Sequence, residues 1–181
     1  MTEKNFLPLV SVLDRSNLAH YLDAMAEIEE NTFGSEAWSK EAYARDIAEN
    51  PHAFYTILTK ENILLAYAGF WLVEKVGYIN NVAVRESCRG YGLGKVLMQG
   101  LIEDCRRRGG EKMTLEVRES NERALRLYTG LGFFRMGVRP RYYTDNGEGA
   151  VILWLDLREK SVADEGHSKQ TENFDSNKDT L

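Results

Sequence analysis

Residues 78–95 read YINNVAVRESCRGYGLGK, an apolar segment followed by a glycine-rich turn. The apolar residues from Tyr78 to Val84 predict a β-strand, and apolar residues at helical spacing between Leu93 and Arg108 predict a helix directly after the turn. Glycine lets a backbone approach a ligand closely, and a helix N-terminus directs unpaired N–H groups at an anion. The segment therefore predicts a strand, a phosphate-binding turn and a helix in succession.

Two common phosphate-binding motifs have a different spacing. A Walker loop needs four residues between its first glycine and the Gly-Lys pair, with Ser or Thr next, whereas three residues separate Gly90 from Gly94 and Val96 follows Lys95. The dinucleotide motif Gly-x-Gly-x-x-Gly also fails, because Gly90, Gly92 and Gly94 alternate. On glycine content alone, a flexible loop without a ligand is the alternative interpretation.

The elements predicted on either side of this segment give an α/β (α+β) fold. Further strands are predicted at 6–13, 53–59, 63–73, 112–118, 133–138 and 151–157, and further helices at 18–28, 39–50 and, capped by Ser120, up to Tyr128. A helical crossover joins the strands at 78–84 and 112–118, which predicts a mixed sheet with this pair parallel. We expect one domain over residues 1–158 and a disordered acidic tail over residues 159–181, where apolar residues are few.

The composition excludes several classes of protein. The 181 residues carry a net charge of -5 and are 43% hydrophobic, as in ordinary soluble proteins. No stretch approaches the roughly 18 apolar residues of a membrane span, and the N-terminus lacks the layout of a signal peptide, so we expect a cytoplasmic protein without a membrane partner. The two cysteines and three histidines are scattered, which predicts neither a metal site nor a Ser/His/Asp hydrolase.

Positive charge is concentrated in the middle of the chain. Residues 1–84 carry six Lys or Arg and twelve Asp or Glu, whereas residues 85–141 carry thirteen and seven, so the balances are -6 and +6. A basic middle in an acidic protein fits a compact polyanion better than nucleic acid, which calls for a basic domain overall. We therefore expect no nucleic-acid partner. For most individual arginines a solvated helix face is the simpler interpretation.

The pattern Arg-x-x-Gly-x-Gly at Arg89, Gly92 and Gly94 resembles the acetyl-CoA-binding motif of the GCN5-related N-acetyltransferase (GNAT) superfamily. Further segments resemble its bacterial ribosomal-protein-alanine N-acetyltransferase (RimI-like) branch: Asn80–Val84, Leu115–Asn121, Ala124–Tyr128, Leu131–Phe133 and Arg141–Tyr143. The resemblance runs from about residue 18 to residue 157 and implies a single GNAT domain, a mixed sheet flanked by helices. It also implies an acetyl-CoA-dependent acyltransferase that modifies a protein N-terminus, in this branch the N-terminal alanine of small-subunit ribosomal protein eighteen.

The resemblance assigns contacts to acetyl-CoA as co-substrate. The backbone of Val82 and Val84 would pair with the pantetheine arm like an extra strand, and the amides of the glycine-rich turn would hold the pyrophosphate. Asn121 matches a co-substrate-contacting asparagine, although a helix cap is an equally good interpretation from sequence alone. The expected acetyl-CoA-binding residues are Val82, Ala83, Val84, Arg89, Gly90, Tyr91, Gly92, Leu93, Gly94, Lys95 and Asn121, with no metal.

Acyl transfer from a thioester to an amine requires a neutral amine and a proton for the departing thiolate. Glu116 lies mid-strand among apolar residues, so it either points into a wet cleft or faces solvent at a sheet edge. It matches the proton-accepting glutamate of the family. Tyr128 matches the tyrosine that donates a proton to the thiolate, with a core aromatic as the alternative. This interpretation places both side chains on one side of the sheet.

The acceptor is expected to approach opposite acetyl-CoA, between the first two helices and the loop before the last strand. Phe33, Trp38, Tyr142 and Tyr143 are the candidate acceptor-binding residues. Acidic residues in the first two helices predict attraction for a cationic peptide N-terminus: Glu27, Glu29, Glu30, Glu36 and Glu41. Four residues separate Phe33 from Trp38 where the family commonly has one Pro, and Thr144 replaces another Pro. A small-molecule amine acetyltransferase and a non-catalytic acyl-CoA-binding module therefore stay open as alternatives.

Overall fold

A mixed seven-stranded sheet forms the centre of the structure, a computed structural model that describes residues 8–158. The strands are β1 (Leu9–Leu13), β2 (Ala53–Lys60), β3 (Ile63–Val73), β4 (Val76–Val84), β5 (Lys112–Arg118), β6 (Phe134–Arg139) and β7 (Ala150–Asp156). Their order across the sheet is β1-β2-β3-β4-β5-β7-β6, and only β4 and β5 are parallel neighbours. The predicted mixed sheet with its parallel pair is confirmed. The tail predicted over residues 159–181, and the start of the strand predicted at 6–13, lie outside the described residues.

Within the described part of the chain, four α-helices flank the sheet in the predicted order. They are α1 (Leu18–Phe33), α2 (Lys40–Glu49), α3 (Leu93–Arg107) and α4 (Glu122–Thr129). The predicted cap of α4 is wrong by one residue, because Asn121 accepts the Ala124 N–H at 3.1 Å while the Ser120 N–H donates to Glu148. Within residues 8–158, no helix has the length and apolar character needed to cross a membrane.

Each face of the sheet carries its own apolar core, because side chains alternate between the faces along every strand. Helices α3 and α4 cover one face, where Leu97, Leu101 and Tyr128 pack with Leu115 and Val117. Helices α1 and α2 cover the other face over β2 to β4. The core there contains Leu13, Met25, Ile28, Tyr43, Ile47, Tyr55, Ile57, Leu64, Tyr67 and Ala83.

The parallel strands β4 and β5 separate part-way along their length. They pair only from Val76 to Tyr78 against Lys112 to Thr114, whereas β5 stays paired with β7 along its whole length. The rest of β4 remains paired with β3 up to Val84. A gap therefore opens in the middle of the sheet, bordered by the second halves of β4 and β5.

Candidate active site

A cavity of about 520 Å³ lies beside this gap, on the α3 and α4 face. The end of β4, the glycine-rich turn, the start of α3 and one side of α4 form its wall. The lining residues are Thr32, Val82, Val84, Cys88, Arg89, Gly90, Gly92, Leu93, Gly94, Lys95, Asn121, Arg123, Ala124, Leu127 and Tyr128. Most of the residues predicted to bind acetyl-CoA are therefore brought together around one cavity.

The glycine-rich turn has a backbone that suits an anion. Gly90 and Gly92 have φ angles of 93° and 78°, in the left-handed region that other residues avoid. Gly92 caps α3 without any side-chain hydrogen bond, so no side chain occupies the first-turn N–H groups of Leu93 and Gly94. A Cβ on Gly90 or Gly92 would meet nothing within 4 Å, which leaves open space in front of the turn. The turn therefore fits a diphosphate.

The second half of β4 offers free backbone groups to the gap. The Arg85 N–H donates to the Leu65 carbonyl at 2.8 Å, so Val84 opposite Ala66 is a non-hydrogen-bonded pair. By the same alternation, Val82 and Val84 direct their N–H and C=O groups away from β3 and towards the gap. Arg89 uses one of these groups, because its Nε donates to the Val84 carbonyl at 3.0 Å.

Two predicted acetyl-CoA-binding residues do not line the cavity. Ala83 is 2% exposed and packs in the core beneath α1 and α2, as strand alternation requires for a residue between Val82 and Val84. Tyr91 is 80% exposed at the tip of the turn. Thr32, Arg123 and Cys88 line the cavity without having been predicted, and no motif in the sequence marks them.

Glu116 projects from the middle of the sheet and is held by two polar partners. Its side chain is 29% exposed, with Arg139 Nε 3.2 Å from Oε1 and the Tyr142 hydroxyl donating to Oε2 at 2.9 Å. At Glu116, β5 pairs only with β7, so the residue borders the gap between β4 and β5. Glu116 is not among the residues that line the cavity, so its position in a cleft stays a prediction. Arg139 fixes the orientation of the carboxylate and was not predicted.

Tyr128 is 8% exposed, at the wall of the cavity, with its ring centroid 5.8 Å from that of Phe133. Burial, and then the nearby Tyr143, raises the pKa of Tyr128 above its ordinary value. The phenol is therefore protonated at neutral pH and can donate a hydrogen bond. The interpretation as a core aromatic is confirmed, since the ring packs in the core, and the role as proton donor stays a prediction for a residue that also borders the cavity.

The expectation that Glu116 and Tyr128 share one side of the sheet is wrong. Tyr128 packs with Leu115 and Val117, and strand alternation directs Glu116 to the opposite face. Glu116 and Tyr128 can still reach the same reacting group, because a group that lies in the gap between β4 and β5 is open to both faces of the sheet.

Residues 22–133 match the acetyltransferase (GNAT) family. A Bacillus subtilis protein provisionally named a ribosomal protein bS18-alanine N-acetyltransferase is 38% identical over 138 residues, covering 76% of this chain and 91% of that protein. The chain belongs to the GNAT acetyltransferase family. The predicted family is thereby confirmed, and with it an acyltransferase fold.

Two solved structures resemble this GNAT acetyltransferase closely. The ribosomal-protein-alanine N-acetyltransferase of Escherichia coli has a TM-score of 0.74 and 29% identity, covering 86% of this chain and 97% of its own. The matched chain of a NatC complex bound to Gag peptide and CoA has a TM-score of 0.71 and 26% identity, covering 84% and 100%. Both matches cover more than four fifths of this chain rather than the glycine-rich turn alone.

The candidate acceptor side of the GNAT domain combines packed and accessible aromatic rings. Phe33 and Trp38 pack against the core under α1 and α2, with the Trp38 ring 5.3 Å from that of Tyr43. The Tyr142 and Tyr143 rings are 5.2 Å apart beside Glu116. Burial raises the pKa of Tyr143 to about 12. The tyrosine pair therefore borders Glu116, the candidate base, whereas Phe33 and Trp38 are partly buried against the core.

The acceptor side of the GNAT domain is less acidic than its sequence predicts. Glu29 is fully buried, where Trp38 N–H and Asn81 Nδ2 donate to Oε1 at 3.1 and 3.0 Å and Tyr67 also donates. Glu27 pairs with Arg85 at 2.9 Å. Glu30 and Glu41 remain exposed. The prediction of a surface position is wrong for Glu29 alone, which lies four residues after Met25 and so shares the buried face of α1. Glu36 is exposed, like Glu27, Glu30 and Glu41.

Proposed function

We propose that this protein transfers the acetyl group of acetyl-CoA to the α-amine of a protein N-terminus, with the N-terminal alanine of ribosomal protein bS18 as substrate. One observation carries the proposal: the phosphate-binding turn and its cavity lead into a gap that is bordered on its far face by Glu116, Tyr142 and Tyr143. The names of the Bacillus subtilis and Escherichia coli relatives support the choice of substrate. Such a substrate is met in the cytoplasm.

The residues of the cavity fit acetyl-CoA as co-substrate. Its diphosphate would be held by the turn at Gly90 to Lys95, where Lys95 adds a positive charge. The backbone groups of Val82 and the N–H of Val84, which point away from β3, would pair with the amides of the pantetheine arm, while Arg89 holds the Val84 carbonyl. When bound, acetyl-CoA supplies a thioester, an acyl group activated for attack by an amine.

Glu116 would take the proton of the attacking amine, directly or through a water. An α-amine has a pKa near 8 and a lysine amine near 10.4, so roughly a tenth of the first and under a thousandth of the second is neutral at pH 7. One carboxylate is therefore a sufficient base for an N-terminus. Arg139 and the Tyr142 hydroxyl keep that carboxylate pointed along the acceptor side of the gap.

Tyr128 would act from the other face of the gap. Its raised pKa keeps the hydroxyl protonated, so the phenol is a hydrogen-bond donor for sulfur. Full proton transfer is uphill from the reference values of about 10 for a phenol and 8.5 for a thiol. We therefore assign Tyr128 first to stabilising the departing thiolate by a hydrogen bond and then to its protonation, after which the phenolate takes a proton back from water.

A thiol-release assay with acetyl-CoA and a peptide beginning Ala-Arg tests the proposal. We expect Glu116→Gln and Tyr128→Phe each to lower kcat by about two to four orders of magnitude, the usual contribution of general acid or base groups. Matched controls are Glu103→Gln on α3 and Tyr78→Phe on β4, both exposed and away from the cavity, which should retain wild-type rates.

The same assay compares classes of acceptor. Peptides beginning with Ala, Ser or Met are measured beside a polyamine and an aminoglycoside, and the Ala peptide should have the highest kcat/KM. Faster turnover of either small amine would replace the proposed substrate class. Wild-type rates in both Glu116→Gln and Tyr128→Phe would refute the assigned roles.

A further inference from the structure

Arg118 ends β5 and projects to the same face as Glu116, two residues earlier on the strand. Its side chain is 24% exposed, so the guanidinium is partly withdrawn from water. No step of the acetyl transfer described above uses it. Its contacts nevertheless all lie on the segments that border the acceptor side.

One of these segments is the turn at Gly34–Glu36, between α1 and α2. Its Glu36 Oε1 is 2.9 Å from Arg118 Nη2. Gly34 has a φ angle of 56°, a left-handed conformation that lets α1 end and the turn begin. In the sequence, Glu36 is one of the four residues that separate Phe33 from Trp38.

The other segment is the loop between β6 and β7. Arg118 Nη2 is 3.0 Å from Asp145 Oδ2, and Arg118 Nη1 is 3.5 Å from Glu148 Oε2. The guanidinium carbon also lies 3.8 Å from the centroid of the Tyr143 ring. One side chain therefore holds the orientation of Tyr143 and joins its loop to the turn between α1 and α2.

Without Arg118, repulsion among the surrounding carboxylates would push the two segments apart. Glu36, Asp145 and Glu148 place three carboxylates around a single cation. Although burial opposes it, hydrogen bonds to Asp145 and Glu36 raise the pKa of Arg118, and the hydrogen bond from Arg118 lowers the pKa of Asp145. Removal of the cation would leave like charges facing one another, which is unfavourable at short range.

We propose that Arg118 is a positioning residue that fastens the Gly34–Glu36 turn to the β6–β7 loop and thereby sets the affinity for the acceptor peptide. The proposal rests on the proposed function, because it assumes that an acceptor peptide binds between these two segments. A planar guanidinium is suited to the task, since it bonds two carboxylates and stacks on a ring at once. Lysine, with a single point charge, would replace only part of these contacts.

Steady-state kinetics of Arg118→Ala test the proposal. We expect KM for the Ala-Arg peptide to rise about tenfold or more, with kcat reduced less than threefold and KM for acetyl-CoA unchanged within twofold. Arg118→Lys should recover part of the peptide KM. Arg126→Ala is the matched control, because Arg126 forms an exposed ion pair with Glu122 at 2.9 Å on α4. It should leave the peptide KM unchanged.

A double-mutant cycle with Glu36→Gln tests whether the two segments are coupled. If Arg118 fastens them, Glu36→Gln raises the peptide KM in the wild type but adds little in the Arg118→Ala background. Additive effects, or an Arg118→Ala variant that loses kcat and KM for both substrates alike, would overturn the proposal.

Hydrogen exchange separates failure of this proposal from failure of the proposed function, because it needs no substrate. Arg118→Ala should accelerate amide exchange at residues 34–37 and 140–149 relative to Arg126→Ala, while β5 and β7 keep their protection. Unchanged exchange in both segments refutes the proposal even if peptides are acetylated. Accelerated exchange without acetylation of any peptide would instead refute the proposed function.

Discussion

Replacement of Gly92 by alanine tests the phosphate-binding turn at its most constrained position. Gly92 caps α3 with φ 78° and ψ 2°, and a Cβ there meets no atom within 4 Å. The substitution therefore adds no clash in the free protein and costs only backbone strain, about 1–2 kcal/mol for a left-handed L-residue. If the turn relaxes to a negative φ, acetyl-CoA binding must restore the strained form. The dissociation constant then rises about 5- to 30-fold at 25 °C.

Calorimetry with acetyl-CoA measures this change, and urea unfolding of the same samples measures stability. If the turn keeps its left-handed conformation in Gly92→Ala, the strain instead lowers the free energy of unfolding by about 1–2 kcal/mol. The loss of binding free energy and the loss of unfolding free energy should therefore sum to about 1–2 kcal/mol. Gly137→Ala on β6 is the matched control, since its Cβ also meets open space but its φ is not left-handed. If Gly92→Ala matches this control in both measurements, the role given to the turn is refuted.

Three further predictions concern single side chains. Glu29→Ala should lower the free energy of unfolding by about 3 kcal/mol or more in urea, because it leaves a backbone N–H and two side-chain donors without their acceptor; a loss below 1 kcal/mol would contradict this. Iodoacetamide should alkylate Cys88 in the cavity and be slowed by acetyl-CoA, whereas buried Cys105, with its pKa raised to about 11, should stay unmodified in the folded protein. Because the pKa of Tyr128 is raised above the ordinary phenol pKa near 10, its hydroxyl stays protonated up to at least that pH. We therefore expect no phenol-dependent decline of kcat up to about pH 10. A decline of kcat below pH 9 that is absent in Tyr128→Phe would refute the raised pKa.

The sequence alone determined the order of the elements and the backbone form of the glycine-rich turn, because both depend on residues that are neighbours along the chain. Alternating apolar residues mark β4, helical spacing marks α3, and the glycines between them permit the positive φ angles at Gly90 and Gly92. These signals are local, so they can be interpreted without knowing which strands pair. Even the cap of α4 was misplaced by only one residue.

The tertiary structure alone decided how the candidate catalytic residues are placed relative to one another. The separation of β4 from β5, the pairing of Arg139 with Glu116 and the burial of Glu29 all join residues far apart in the chain, and they depend on strand register and helix rotation. A one-residue change in the register of β5 would exchange Glu116 for Leu115 on the acceptor face. Local patterns place a side chain on a strand, but only packing against the neighbouring strands and helices decides which face of the sheet, and so which substrate, that side chain meets.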